Sequence, residues 1–121
     1  MAFSVADRVW NRAAIECGGP SPREGDRALS DMLLAHAMVM HGGLAQMFEN
    51  LSEEELVAAA MGFDFFGLRP VSKLLIKKYA GDELKNVDDR WYWEFVKDDS
   101  DLVKRFEVIF EAAPEYFAPL R

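Results

Sequence analysis

The sequence contains little of what sites of chemistry are usually built from. Cysteine occurs once, at Cys17, so no internal disulfide can form. No flanking residue marks Cys17 as an activated nucleophile, and a small buried or half-exposed thiol is the expected reading. Histidine occurs twice, at His36 and His41, too few for a hydrolytic metal site, which needs several ligands converging on one point. No apolar run is long enough to span a bilayer and the N-terminus lacks a signal pattern, so a cytoplasmic protein is expected. Repeats and low-complexity segments are absent. The glycine-rich stretch Gly18-Gly19-Pro20-Ser21-Pro22 fits neither a phosphate loop nor the dinucleotide fingerprint, and no cofactor or metal is expected. Basic residues are the minority, 14 against 21 acidic for a formal charge of −7. That balance argues against direct binding of nucleic acid or an anionic membrane and points to a basic protein as partner, with a second copy of the chain also open.

What is present is a core-forming chain. Half of the 121 residues are hydrophobic, with nine Phe and three Trp, which predicts one domain over residues 1–121 with a sizeable core. Apolar residues recur at helical spacing throughout, so the expected class is all-α, a single multi-helix domain of about six helices. Ser4 with Asp7 starts a helix carrying Val5, Val9, Trp10 and Ala13, which ends near Cys17. Asp26 is expected to cap the next helix, whose Leu29, Met32, Leu33, His36 and Met40 share a face. His36 on that apolar face reads as a satisfied core histidine bonded to a carbonyl. Ser52 and Glu55 form a capping box, and Leu51 with Leu56 a hydrophobic staple, for a helix that Gly67 stops. Pro70 sits in the first turn of a helix burying Val71, Leu74 and Leu75 and turning Lys73, Lys77 and Lys78 outward, and Gly81 ends it.

Trp91-Tyr92-Trp93 fits a helix by spacing and a strand by composition. Asp88 and Asp89 as caps decide for helix, with Trp93 partly exposed. Asp98, Asp99 and Asp101 precede a last helix bearing Leu102, Phe106 and Ile109, which Pro114 ends; Tyr116 and Phe117 then fold back onto the body. Paired aspartates at helix starts read as caps, so no catalytic residue is assigned and the protein is not expected to be an enzyme.

The central stretch is His41-Gly42-Gly43-Leu44-Ala45-Gln46-Met47-Phe48-Glu49-Asn50. Gly42 is the expected C-cap, Gly43 lets backbone pass close, and Leu44, Met47 and Phe48 form a short apolar face. Gln46 and Asn50, four apart, are expected to clasp the ends of neighbouring helices. This stretch resembles the hallmark Asn-Gly-Gly-Phe-x-Gln-Phe-Phe-x-Asn of the DNA-mimic protein family, small acidic bacterial domains long known as a domain of unknown function. Gly42, Gly43, Gln46, Phe48 and Asn50 match, while His41, Leu44 and Met47 depart conservatively, and the likeness covers residues 26–117. The resemblance implies an acidic binding module that occupies the DNA-binding surface of a regulator. Glu49, Glu53 and Glu54 at one helix junction, and Asp98, Asp99 and Asp101 at another, are the carboxylates that would stand for phosphates. The alternative is an immunity-type or accessory protein that blocks a toxin or enzyme through exposed aromatics, Trp93 foremost.

Overall fold

Reciprocal caps start two of the helices. The Ser4 hydroxyl accepts from the Asp7 amide while the Asp7 carboxylate accepts from the Ser4 amide, and Ser52 and Glu55 repeat the arrangement. The computed structural model, which describes residues 4–85 and 87–120, is all-α. Its helices are α1 (Val5–Glu16), α2 (Glu24–Asn50), α3 (Glu53–Phe65), α4 (Arg69–Tyr79), α5 (Asp89–Phe95) and α6 (Asp99–Ala112), followed by a single 3-10 turn at Pro114–Tyr116. The aromatic segment at Trp91 is therefore helical. The Asp88 side chain accepts from the Trp91 amide and settles its start.

The long helix α2 is the hub, packing against α1, α3, α5 and the C-terminal turn. Val9 of α1, Leu29, Met32 and Met47 of α2, Phe63 of α3, Leu75 of α4, Tyr92 of α5 and Phe106 of α6 belong to one buried cluster. Each such side chain contributes roughly 1.5–3 kcal/mol by leaving water. Leu51 and Leu56 flank the α3 cap and are both buried, as a staple requires. Helices α2 and α3 approach closely at Gly62, where a Cβ would lie 2.5 Å from the Ala28 carbonyl oxygen. Phe117 is buried and closes the fold over Phe106 and Phe110.

Three local expectations are corrected. Asp26 does not cap α2 from outside. Arg23 is the N-cap and Asp26 lies inside the first turn, fully buried, where its carboxylate accepts from the Arg23 amide at 2.9 Å and the Ala118 amide at 2.7 Å. Its pull inward comes from Arg12, at 2.8 Å. Gly42 does not end the helix in a left-handed conformation. Two helical runs do meet at the glycine pair, as expected, since Gly42 and Gly43 are both non-helical and break α2 in a kink, but Gly43 is the residue with positive φ, at +80°. Gln46 and Asn50 do not reach neighbouring helix ends. The Asn50 amide donates to the Gln46 carbonyl within α2, and the Gln46 side chain lies over Gly42, filling the space a Cβ would occupy there. The clasp across the kink comes from Asp89, whose carboxylate accepts from the Leu44 amide at 2.9 Å.

Candidate functional site

The start of α6 is joined to α2 and α5 through His36. Asp98 caps α6, bonding the Ser100 amide at 2.9 Å, and the Ser100 hydroxyl bonded to the same carboxylate holds its pKa below the usual range. Asp99, one residue further, places Oδ1 at 2.7 Å from His36 Nε2, while His36 Nδ1 lies 2.8 Å from the Tyr92 hydroxyl. Tyr92 is fully buried; desolvation pushes its phenol well above the ordinary value, and the Asp99 charge adds to the shift. The phenol therefore stays protonated, and the Tyr92 hydroxyl and the Asp99 carboxylate together occupy both ring nitrogens of His36. Both imidazole nitrogens are engaged and the Tyr92 hydroxyl is buried, so the line Asp99–His36–Tyr92 ties α6, α2 and α5 together. His36 is a satisfied core histidine as expected, but its partners are two side chains rather than a carbonyl.

Beside this line the surface opens into two hollows that share Trp10 as a wall. The larger, about 610 Å³, lies between α1 and α2, and the Trp10 ring, Leu33, Leu34, Ala37, Met40, His36 and Asp99 line it. The smaller, about 300 Å³, lies between α1 and α6, lined by Ala6, Asp7, Asn11, Val103, Phe106 and Glu107 besides Trp10. Alanines at 13, 14 and 37 leave the room for the first hollow. Leu34 and Met40 stand 39 % and 51 % exposed on its rim. Among the described residues, Asp99, Asp7 and Glu107 line the pair and no Lys or Arg does, while His36 and His41 are the only basic side chains in the lining. Elsewhere the charges mix or invert: Lys97, Lys104 and Arg105 line a hollow between α5 and α6, and Arg8, Arg12 and Arg23 line one beside the C-terminal segment. The segregation is thus a property of the furrow around Trp10.

The two acidic groups named from sequence fare differently. Glu49, Glu53 and Glu54 are exposed, and among the described residues none forms an ion pair. A cation does stand close by, since Lys78 Nζ lies 5.3 Å above the ring of Phe48, the residue before Glu49. At the start of α6, Asp99 is tied to His36 and Asp101 accepts from the Lys97 amide at 2.7 Å. Only part of that group is free to face a partner. Trp93 is half-buried, with its ring edge-on to Tyr92 at 5.3 Å. Trp10, Asp89 and the partnership of Tyr92 with His36 were not singled out as site residues from sequence. The small residues along one side of Trp10 were the available signal for the furrow.

Among the described residues, no three His, Cys, Asp or Glu side chains gather where they could hold a metal ion. No helix among the described residues is long and apolar enough to cross a membrane. Comparison with protein families, with curated proteins and with solved structures gives no match.

Proposed function

We propose that the protein is an acidic binding module whose partner is a basic protein. The observation that carries this reading is the furrow around Trp10, largely apolar in its walls and lined, among the described residues, by three carboxylates and no Lys or Arg. The formal charge of −7 supports it by favouring encounter with a positive surface. Two modes are compatible with such a module. The resemblance to the DNA-mimic family favours occupation of a regulator's DNA-binding surface, with Glu49, Glu53 and Glu54 standing for phosphates. The furrow favours an accessory or immunity-type protein that blocks a toxin or enzyme, because its apolar walls offer contact area that phosphate mimicry does not need. The bond of Asp101 to the Lys97 amide, which leaves that carboxylate less free to stand for a phosphate, adds weight to this second mode. We propose a binding rather than a catalytic role, and we place the protein in the cytoplasm, in keeping with a single free cysteine.

The test is capture of partners on the immobilised protein, followed by titration with the purified partner. A basic partner whose binding weakens as salt rises is expected. Displacement by duplex DNA selects mimicry; binding that persists in DNA excess selects the accessory mode. A partner of net negative charge, bound equally at low and high salt, overturns the proposal.

A further inference from the structure

We infer that the furrow around Trp10 seats one face of a basic amphipathic α-helix of the partner, an inference that rests on the reading of the protein as a module for basic proteins. The apolar side chains of that helix enter the hollows on either side of Trp10, and its lysine or arginine side chains meet Asp99, Asp7 and Glu107.

The shape favours a helix over a small molecule. Ligand sites for small molecules enclose most of their ligand. Here two hollows of about 610 and 300 Å³ share Trp10 in their walls, and the rim residues Leu34 and Met40 of the larger are themselves exposed. A small ligand would fill one hollow and leave much of its surface wet. A helix presents apolar side chains at i, i+3, i+4 and i+7, a spacing that lets neighbouring side chains straddle a single ring.

The charges favour a cationic helix. Only Oδ1 of Asp99 is bonded to His36; Oδ2 has no hydrogen-bond partner among the described residues, and the side chain is 71 % exposed. Asp7 gives Oδ2 to the Ser4 amide, and among the described residues Oδ1 has no partner. Glu107 forms no side-chain hydrogen bond or ion pair among the described residues and stands two turns beyond Asp99 on α6. Three carboxylates thus border largely apolar walls, with His36 and His41 but no Lys or Arg among the described residues that line them, a pattern that binds ammonium or guanidinium groups along the edges of an apolar stripe. A second copy of the chain would bring a further −7, and an anionic membrane would be repelled by the same carboxylates.

The experiment uses the full chain labelled with nitrogen-15 and two synthetic helical peptides with leucines along one face, one flanked by lysines and the other by glutamates. With the lysine peptide, shifts are expected at the Trp10 indole N–H, along α1, at the start of α6 and around residues 33–41 of α2. The glutamate peptide should leave the spectrum unchanged. Leu34→Asn and Glu107→Lys should each weaken the lysine peptide about tenfold, with thermal midpoints and the rest of the spectrum preserved. Shifts confined to the Glu49–Glu54 junction would overturn the furrow while leaving the basic-partner reading in place. Equal binding of the glutamate peptide would overturn the charge match. Absence of binding by the lysine peptide at millimolar concentration would overturn the inference outright. A furrow that accepts the lysine peptide, together with an acidic natural partner, would instead uphold the furrow and remove the functional reading.

Discussion

The Asp89 carboxylate occupies the space that a side chain on Gly43 would need. A Cβ built on Gly43 lies 2.5 Å from Asp89 Oδ2, while Asp89 Oδ1 accepts from the Leu44 amide at 2.9 Å. Gly43 also holds φ +80° and ψ −176°, a region open almost only to glycine. Gly43→Val is therefore expected to destabilise the fold by about 2–4 kcal/mol, combining backbone strain with loss of the Asp89 bond. Chemical denaturation measures this, and an unchanged midpoint would mean that the kink bears no such constraint.

Arg12 and Asp26 tie the chain's two ends together. Arg12 Nη2 donates to Asp26 and to the Ala118 carbonyl, both at 2.8 Å, and the side chains are 12 % and 0 % exposed. Removing the cation leaves a carboxylate buried without its countercharge, so Arg12→Met should cost about 3–5 kcal/mol. Hydrogen exchange at the Ala118 amide, which donates to the same carboxylate, should accelerate. Arg12→Met combined with Asp26→Leu should lose less than the sum of the two single changes.

Tyr92→Phe tests the His36 line from its buried end. The substitution keeps the ring packed against Phe63 and Trp93 but leaves buried His36 Nδ1 without its hydrogen-bond partner. The expected loss is about 1–3 kcal/mol. A cost indistinguishable from zero would show that the hydroxyl does not hold the imidazole.

Where both partners of a contact lie within a few residues, the sequence reveals the contact, and the caps show it. Ser4 with Asp7 and Ser52 with Glu55 are each three apart, and both pairs form as read. Helical spacing likewise gave the all-α class and most of the core. The misreadings fall where one residue has several local uses and a distant one decides. Asp98, Asp99 and Asp101 look alike along the chain, yet one caps its own helix, one bonds the preceding loop, and one reaches His36 across 63 positions. Asp26 could serve as a cap until Arg12 and Ala118, 14 and 92 positions away, draw it inside. Gly42 and Gly43 are indistinguishable by composition, and the partner that favours positive φ at the second is Asp89. The furrow was the least legible feature, because alanines at 13, 14 and 37 read as good helix formers, whereas their effect is to leave space.

Asp31 gives the pH dependence a sign. It lies on α2, half-buried near the start of α3, and desolvation raises its pKa above 3.8; Arg27 acts against the shift and Glu55 adds to it. A carboxylate with a raised pKa in the folded state favours folding less as it ionises. Stability should therefore fall as pH climbs from 3.8 through the raised folded value, and the loss should persist at neutral pH. Asp31→Asn removes this contribution, so the variant should be more stable than the parent at pH 7, with the gap closing as pH drops towards 3.8. Arg27→Met should act in the opposite sense, because it deletes the cation that offsets the shift and leaves Asp31 harder to ionise. Denaturation midpoints of the three proteins across this range provide the measurement. A parent and an Asp31→Asn variant that keep a constant difference from acid to neutral pH would show that Asp31 is as well solvated in the folded chain as in the unfolded one.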